Sequence, residues 1–189
     1  MKRLLWIGTG IIVVTAVVWI AVRLSHRMPV AVLFLITRDE VLNASMPIGI
    51  DEPATVSTTS VALHDGAAVY SEEAGKIGSG AREDVSYSLD RDLISIGDLN
   101  GDGEPDAIAV LTTNYGGGSG QYVHLVAFSD QKGVPVFADV IDLGDRTTID
   151  SVQIQEGEIS VIYRTWKGGE YSPQIHERYA LQNSRLVKL

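Results

Sequence analysis

The stretch "GDLNGDGEPD", residues 97–106, sets oxygen-bearing side chains at alternate positions of a glycine-rich turn. Asp98, Asn100 and Asp102 take the first, third and fifth places, and Asp106 takes the ninth. Calcium is held by six to eight hard oxygen ligands, and a turn with this spacing can aim several of them inward together. Gly103 falls at the sixth place, where such a loop bends sharply. Glu104, at the seventh, would contribute its main-chain carbonyl with its side chain outward. The twelfth place, which supplies a bidentate Glu in a helix-loop-helix calcium site, is Ala109. The predicted ligand set is therefore Asp98, Asn100, Asp102, Glu104 and Asp106, with three formal negative charges from its side-chain ligands that repel one another unless a cation is bound.

The residues on either side decide what carries the loop. "LISIG" precedes it and "AIAVLTT" follows it, both apolar and rich in β-branched residues, so the turn is predicted to be strand-loop-strand. From residue 56 onward the same pattern continues. Strands are expected at 55–63, 67–70, 85–88, 93–97, 107–113, 122–129, 134–143, 148–155, 158–164, 174–181 and 185–188. Gly, Asp and Asn separate them, with tight turns at Glu156-Gly157 and around Gln182-Asn183-Ser184. No helical 3.6-residue period occurs past residue 60. The expected body, 56–189, is an all-β, antiparallel sandwich-like or barrel-like domain.

Other motifs carry less. "GGGSG" at 116–120 is followed by nothing helical, and Gln121 stands where a dinucleotide or nucleophile-elbow motif requires its last Gly, so a loop between strands is expected. Arg146 in "LGDR" can pair with Asp145, with an acid of the turn at 98–106, or with an anionic ligand; a turn stabilised by its Arg is the simplest case. His64, His124 and His176 are far apart with no metal-binding spacing and are read as strand-face residues. Trp166 and Tyr171 flank "KGGE", either as a platform for carbohydrate or peptide or as a cover for a sheet edge.

Residues 4–22, "LLWIGTGIIVVTAVVWIAV", form an uncharged run of 19 residues between Lys2-Arg3 and Arg23. About 20 apolar residues span a bilayer core as a helix. A cleavable leader has a shorter apolar core and a small-residue cleavage site, whereas "RLSHRMP" follows here. Residues 1–28 are thus expected to be an uncleaved single-pass membrane anchor. Between anchor and body, 29–55 is read as a linker with a short helix, because Thr37 and Glu40 have the spacing of a capping box.

The 189 residues contain no Cys, which removes disulfides, thiol catalysis and thiolate metal sites. Four of the 15 basic residues lie in the first 28, which contain no acid; the rest of the chain has 11 basic against 24 acidic residues, a balance of −13. Such a body repels phosphate backbones, so no nucleic-acid partner is expected. The flanking charges of the apolar run are nearly balanced and do not orient it. A weak calcium loop needs the millimolar calcium of the exterior, which places the β-domain on the periplasmic or extracellular side.

At Asp98, Asn100, Asp102, Gly103 and Asp106 the chain resembles the calcium loops of FG-GAP and VCBS-type repeats, whose pattern is D-x-[DN]-x-D-G-x-x-D. The resemblance implies calcium coordination by those side chains. Since the loop occurs once and no period of 20–50 residues repeats, a propeller is not expected. From Asp98 to the C-terminus, the order of the loop, "GGGSG", "LGDR" and a closing hairpin resembles an uncharacterised family of small membrane-anchored or lipoprotein-like bacterial extracytoplasmic proteins. No activity comes with that resemblance. The sequence supports two functions. One is a calcium-binding, non-catalytic β-domain that meets an envelope protein or polysaccharide. The other is a metal-dependent envelope hydrolase, which would need an open metal position and a nearby base.

Overall fold

A computed structural model describes residues 35–47, 60–72, 83–116 and 120–189. The apolar run 4–22 lies outside them; among the described residues no helix is long and apolar enough to cross a membrane.

The described chain starts with α1 (Arg38–Val41), capped as its residue types require. The Thr37 side chain accepts the Glu40 N–H, and the Glu40 carboxylate accepts the Thr37 N–H at 2.7 Å, closing the capping box. Fourteen strands follow: β1 (Ser45–Pro47), β2 (Ser60–Ala62), β3 (Ala67–Glu72), β4 (Glu83–Leu89), β5 (Ser95–Gly97), β6 (Asp106–Tyr115), β7 (Gln121–Asp130), β8 (Pro135–Asp145), β9 (Thr148–Gln155), β10 (Glu158–Arg164), β11 (Trp166–Lys167), β12 (Glu170–Tyr171), β13 (Ile175–Gln182) and β14 (Arg185–Lys188). Leu93, expected in a strand, instead ends a 3₁₀ turn (Arg91–Leu93). The reason is local: Asp90 takes the Asp92 N–H on its carboxylate and caps that turn.

An eight-stranded sheet runs β2-β1-β8-β7-β6-β4-β3, with β5 added on β6. Its two ends meet where His64 bridges Ala67 across the Asp65-Gly66 turn, so the sheet curls into a nearly closed, barrel-like form. Pairing is antiparallel throughout except at Ser45↔Val136, where β1 runs parallel to β8. A four-stranded antiparallel sheet, β14-β13-β10-β9, packs on the outside, and β11 and β12 form a small separate hairpin.

The central strands explain the continuous apolar runs in the sequence. On β6, Ala107, Ala109 and Leu111 face one core with Val126 and Phe128 of β7; Ile108 and Val110 face a second core with Leu125 and Ala127. A strand buried on both faces needs apolar residues at every position, not at every second one. The first core fills the inside of the curled sheet and includes Val41, Leu42, Ala44 and Met46. The stretch read as linker thus contributes core side chains. The second core lies between the two sheets, closed by Val152, Ile159, Val161, Tyr163, Tyr179 and Leu181. Each large side chain buried there contributes about 1.5–3 kcal/mol.

Two turns were legible from residue type. Glu156 and Gly157 have φ of 52° and 79°, and Asn183 and Ser184 have 52° and 59°. Both are two-residue links with positive φ at both central positions, which matches the twist of the strands they join.

Candidate metal centre

Residues 98–105 form the loop of the β5–β6 hairpin, closed at its base by the pair Gly97↔Asp106. The strand-loop-strand setting expected for "GDLNGDGEPD" is therefore present. Gly101 and Gly103 have φ of 81° and 86°. A Cβ on Gly103 would meet nothing within 4 Å, so the demand for glycine at the sixth place comes from the backbone alone.

The loop folds its amides onto its own side chains. Asp98 accepts the Gly101 N–H on Oδ1 at 2.7 Å and the Gly103 N–H on Oδ2 at 3.0 Å. Asn100 Oδ1 accepts the Asp102 N–H, Asp102 Oδ1 accepts the Glu104 N–H, and Asn100 Nδ2 donates to Asp102 Oδ2 at 2.9 Å. Glu104 is exposed, as its expected outward side chain requires.

Asp106 differs from the rest. It is fully buried, and its two oxygens accept the N–H groups of Leu99 and Asp130, each at 3.0 Å. One carboxylate thus ties the start of the loop to the end of β7, a contact over 24 positions that the nine-residue pattern does not reveal. Burial raises its pKa above the ordinary value. The two amides oppose that rise, and repulsion from Asp102 and Asp98 adds to it. Asp98 and Asp102 thus both act on Asp106. Among the described residues no Lys, Arg or His forms an ion pair with Asp98, Asp102, Glu104 or Asp106.

The donor chemistry fits calcium: every side chain that would bind is a hard oxygen donor, and a carboxylate oxygen that takes one amide keeps acceptor capacity. Acids alone do not complete a site. Among the described residues no three His, Asp or Glu side chains are grouped so as to hold a metal ion.

The remaining sequence motifs lie elsewhere. Arg146, with φ 51°, pairs with its neighbour Asp145, whose carboxyl is held below the ordinary range first by the Gln121 N–H and then by Arg146. It does not reach the loop at 98–106. Residues 117–119 of "GGGSG" are outside the described residues; Gly116 donates to the Asp84 carbonyl. His64 and His176 are exposed, whereas His124 is fully buried on β7 with Nδ1 3.6 Å from Asp142. Trp166 and Tyr171 pack edge to face on each other, ring centroids 4.9 Å apart.

One polar cluster was missed. Glu177 lies on the inward face of β13 and accepts from Tyr179 and Lys188, with Tyr163 beside it. Burial pushes its pKa up, but hydrogen bonds from Lys188, Tyr179 and Tyr163 outweigh this and leave it lowered. Burial and Glu177 push the Tyr163 hydroxyl up to about 12. The signal was present in "IHERYAL": a period of two from Ile175 through Tyr179 to Leu181 turns Glu177 inward.

No protein-family model, curated protein or solved structure matches the chain.

Proposed function

We propose that this chain is a membrane-anchored, extracytoplasmic β-domain, stabilised by one calcium ion in the 98–106 loop, with a non-catalytic binding role in the cell envelope. Residues 1–28 provide the anchor, and the partner is an envelope protein or a polysaccharide. The observation that carries the reading is the calcium-loop spacing of Asp98, Asn100, Asp102 and Asp106 on one β-hairpin, where Asp98 and Asp102 repel Asp106 and have no cationic partner among the described residues. Three carboxylates in one turn oppose folding unless a cation neutralises them.

Asp98, Asn100 and Asp102 would hold the ion through side-chain oxygens, Glu104 through its carbonyl, and Asp106 from below while it keeps its two amides. The ion's contribution is charge neutralisation and stiffening of the hairpin. With no acid at the twelfth place, affinity is expected on the order of 10⁻⁴–10⁻³ M, which suits an extracellular site. At 100 times the dissociation constant, binding adds about 2.7 kcal/mol to stability. The test is thermal melting in calcium and in chelator. Wild type is expected to melt higher in calcium, and Asp102→Ala is expected to lose that rise while melting no lower than wild type in chelator. Superimposable wild-type curves in the two buffers would remove calcium from the account.

A further inference from the structure

The four-stranded sheet turns a polar face outward, and at its β9–β10 end this face is hollow. Gln155, Glu156, Glu158, Ser160 and Arg178 line a cleft of about 600 Å³, within the usual size of small-ligand sites. The strand register explains the hollow. Glu158 stands between Gln155 on β9 and Ala180 on β13, whose side chain is a single methyl group. Ser160 stands between Gln153 and Arg178, again a short side chain between long ones.

We propose that this cleft binds a neutral, hydroxyl-rich ligand, a saccharide chain, and that the 98–106 loop sets the position of its wall. The lining decides the ligand class. Arg178 forms an ion pair with Glu158, so the central charges cancel, and Gln155 and Ser160 are neutral. Planar carboxylate, guanidinium and amide groups beside a hydroxyl present donors and acceptors in pairs, the arrangement that meets adjacent hydroxyls. Among the described residues the exposed Glu156 at the mouth has no ion-pair partner, too little to select a strongly cationic ligand.

The wall packs closely on the root of the loop, with one hydrogen bond between them. The position a Cβ would take on Gly157 is 3.8 Å from the Asp98 carbonyl oxygen, and that on Gly97 is 2.8 Å from Ile154 Cγ2. The Ile154 N–H donates to Ser95 Oγ at 3.0 Å. β5, the root of the loop and the β9–β10 turn that carries Gln155 and Glu156 thus lie in direct contact. A cation that stiffens the loop stiffens the cleft; this coupling, though not the cleft itself, rests on the calcium reading above.

The experiment is calorimetric titration of the full chain, held in a detergent without a sugar headgroup, with cello-, chito-, xylo- and malto-oligosaccharides and with trilysine. Each is run in calcium and in chelator, beside a titration with calcium alone. At least one oligosaccharide is expected to bind in calcium, at least tenfold more weakly in chelator, and at least tenfold more weakly to Arg178→Met and to Glu158→Gln than to wild type. Binding of trilysine alone, binding of no sugar, or equal sugar binding by wild type and both variants overturns the site. Sugar binding of equal strength in calcium and chelator overturns the coupling, and the calcium titration separates that result from a loop that takes no cation.

Discussion

Removing the Asp106 carboxylate tests how the loop is built, apart from any ion. In Asp106→Ala the N–H groups of Leu99 and Asp130 lose their acceptors at a position of 0% exposure. Each buried amide left unpaired costs about 1–3 kcal/mol. Relief of repulsion from the half-buried Asp98 and the exposed Asp102 offsets on the order of 1 kcal/mol. The net loss is expected to be about 1–5 kcal/mol, or a melting temperature about 2–20 °C lower for a chain of this size. Calorimetry of the full chain in chelator measures it, so that loss of calcium does not contribute. The sign with pH is also set. Folded Asp106 keeps its proton above the ordinary value of 3.8, so in chelator its contribution to stability declines as pH rises from there through the raised value. Asp106→Asn cannot titrate, and the stability of wild type minus that of this variant is expected to fall over the same window. Asp106→Ala melting at the wild-type temperature in chelator would refute the clamp.

Two further outcomes follow from other parts of the chain. Glu177 has a lowered pKa in the fold, so its contribution is complete above the unfolded value and is lost as pH falls through the folded one. The stability gap between wild type and Glu177→Gln is expected to be widest at neutral pH and to close below about pH 4 in denaturant titrations; a gap independent of pH would contradict the assigned hydrogen bonds. The anchor reading requires the chain extracted from membranes to have the intact mass with residues 4–22 retained. It also requires protease added outside intact cells or spheroplasts to digest the β-domain; a mature N-terminus between residues 20 and 35, or protection until lysis, would contradict it.

Much of the fold was legible because local chemistry and global structure agree. β9, β10 and β14 begin and end where the sequence placed them, and the two-residue turns with positive φ at Glu156-Gly157 and Asn183-Ser184 fix the ends that adjoin them. The Thr37–Glu40 box was readable for the same reason: its partners are three residues apart. What escaped depends on distant pairing. β1 joins β8 across about 90 positions, and nothing in "SMP" announces a strand. Asp106 looked like one acid among four; its burial and its bond to Asp130 exist only because β7 returns beside β6. The cleft brings together Gln155 of β9, Glu158 and Ser160 of β10 and Arg178 of β13, a matter of register between strands.

The central claim meets its most direct test in a calcium titration of the full chain in detergent, followed calorimetrically alongside Asp98→Asn/Asp102→Asn. Wild type is expected to bind one calcium per chain with a dissociation constant on the order of 10⁻⁴–10⁻³ M, and the double variant none. No saturable binding by wild type, or binding of equal strength by the double variant, would contradict the account.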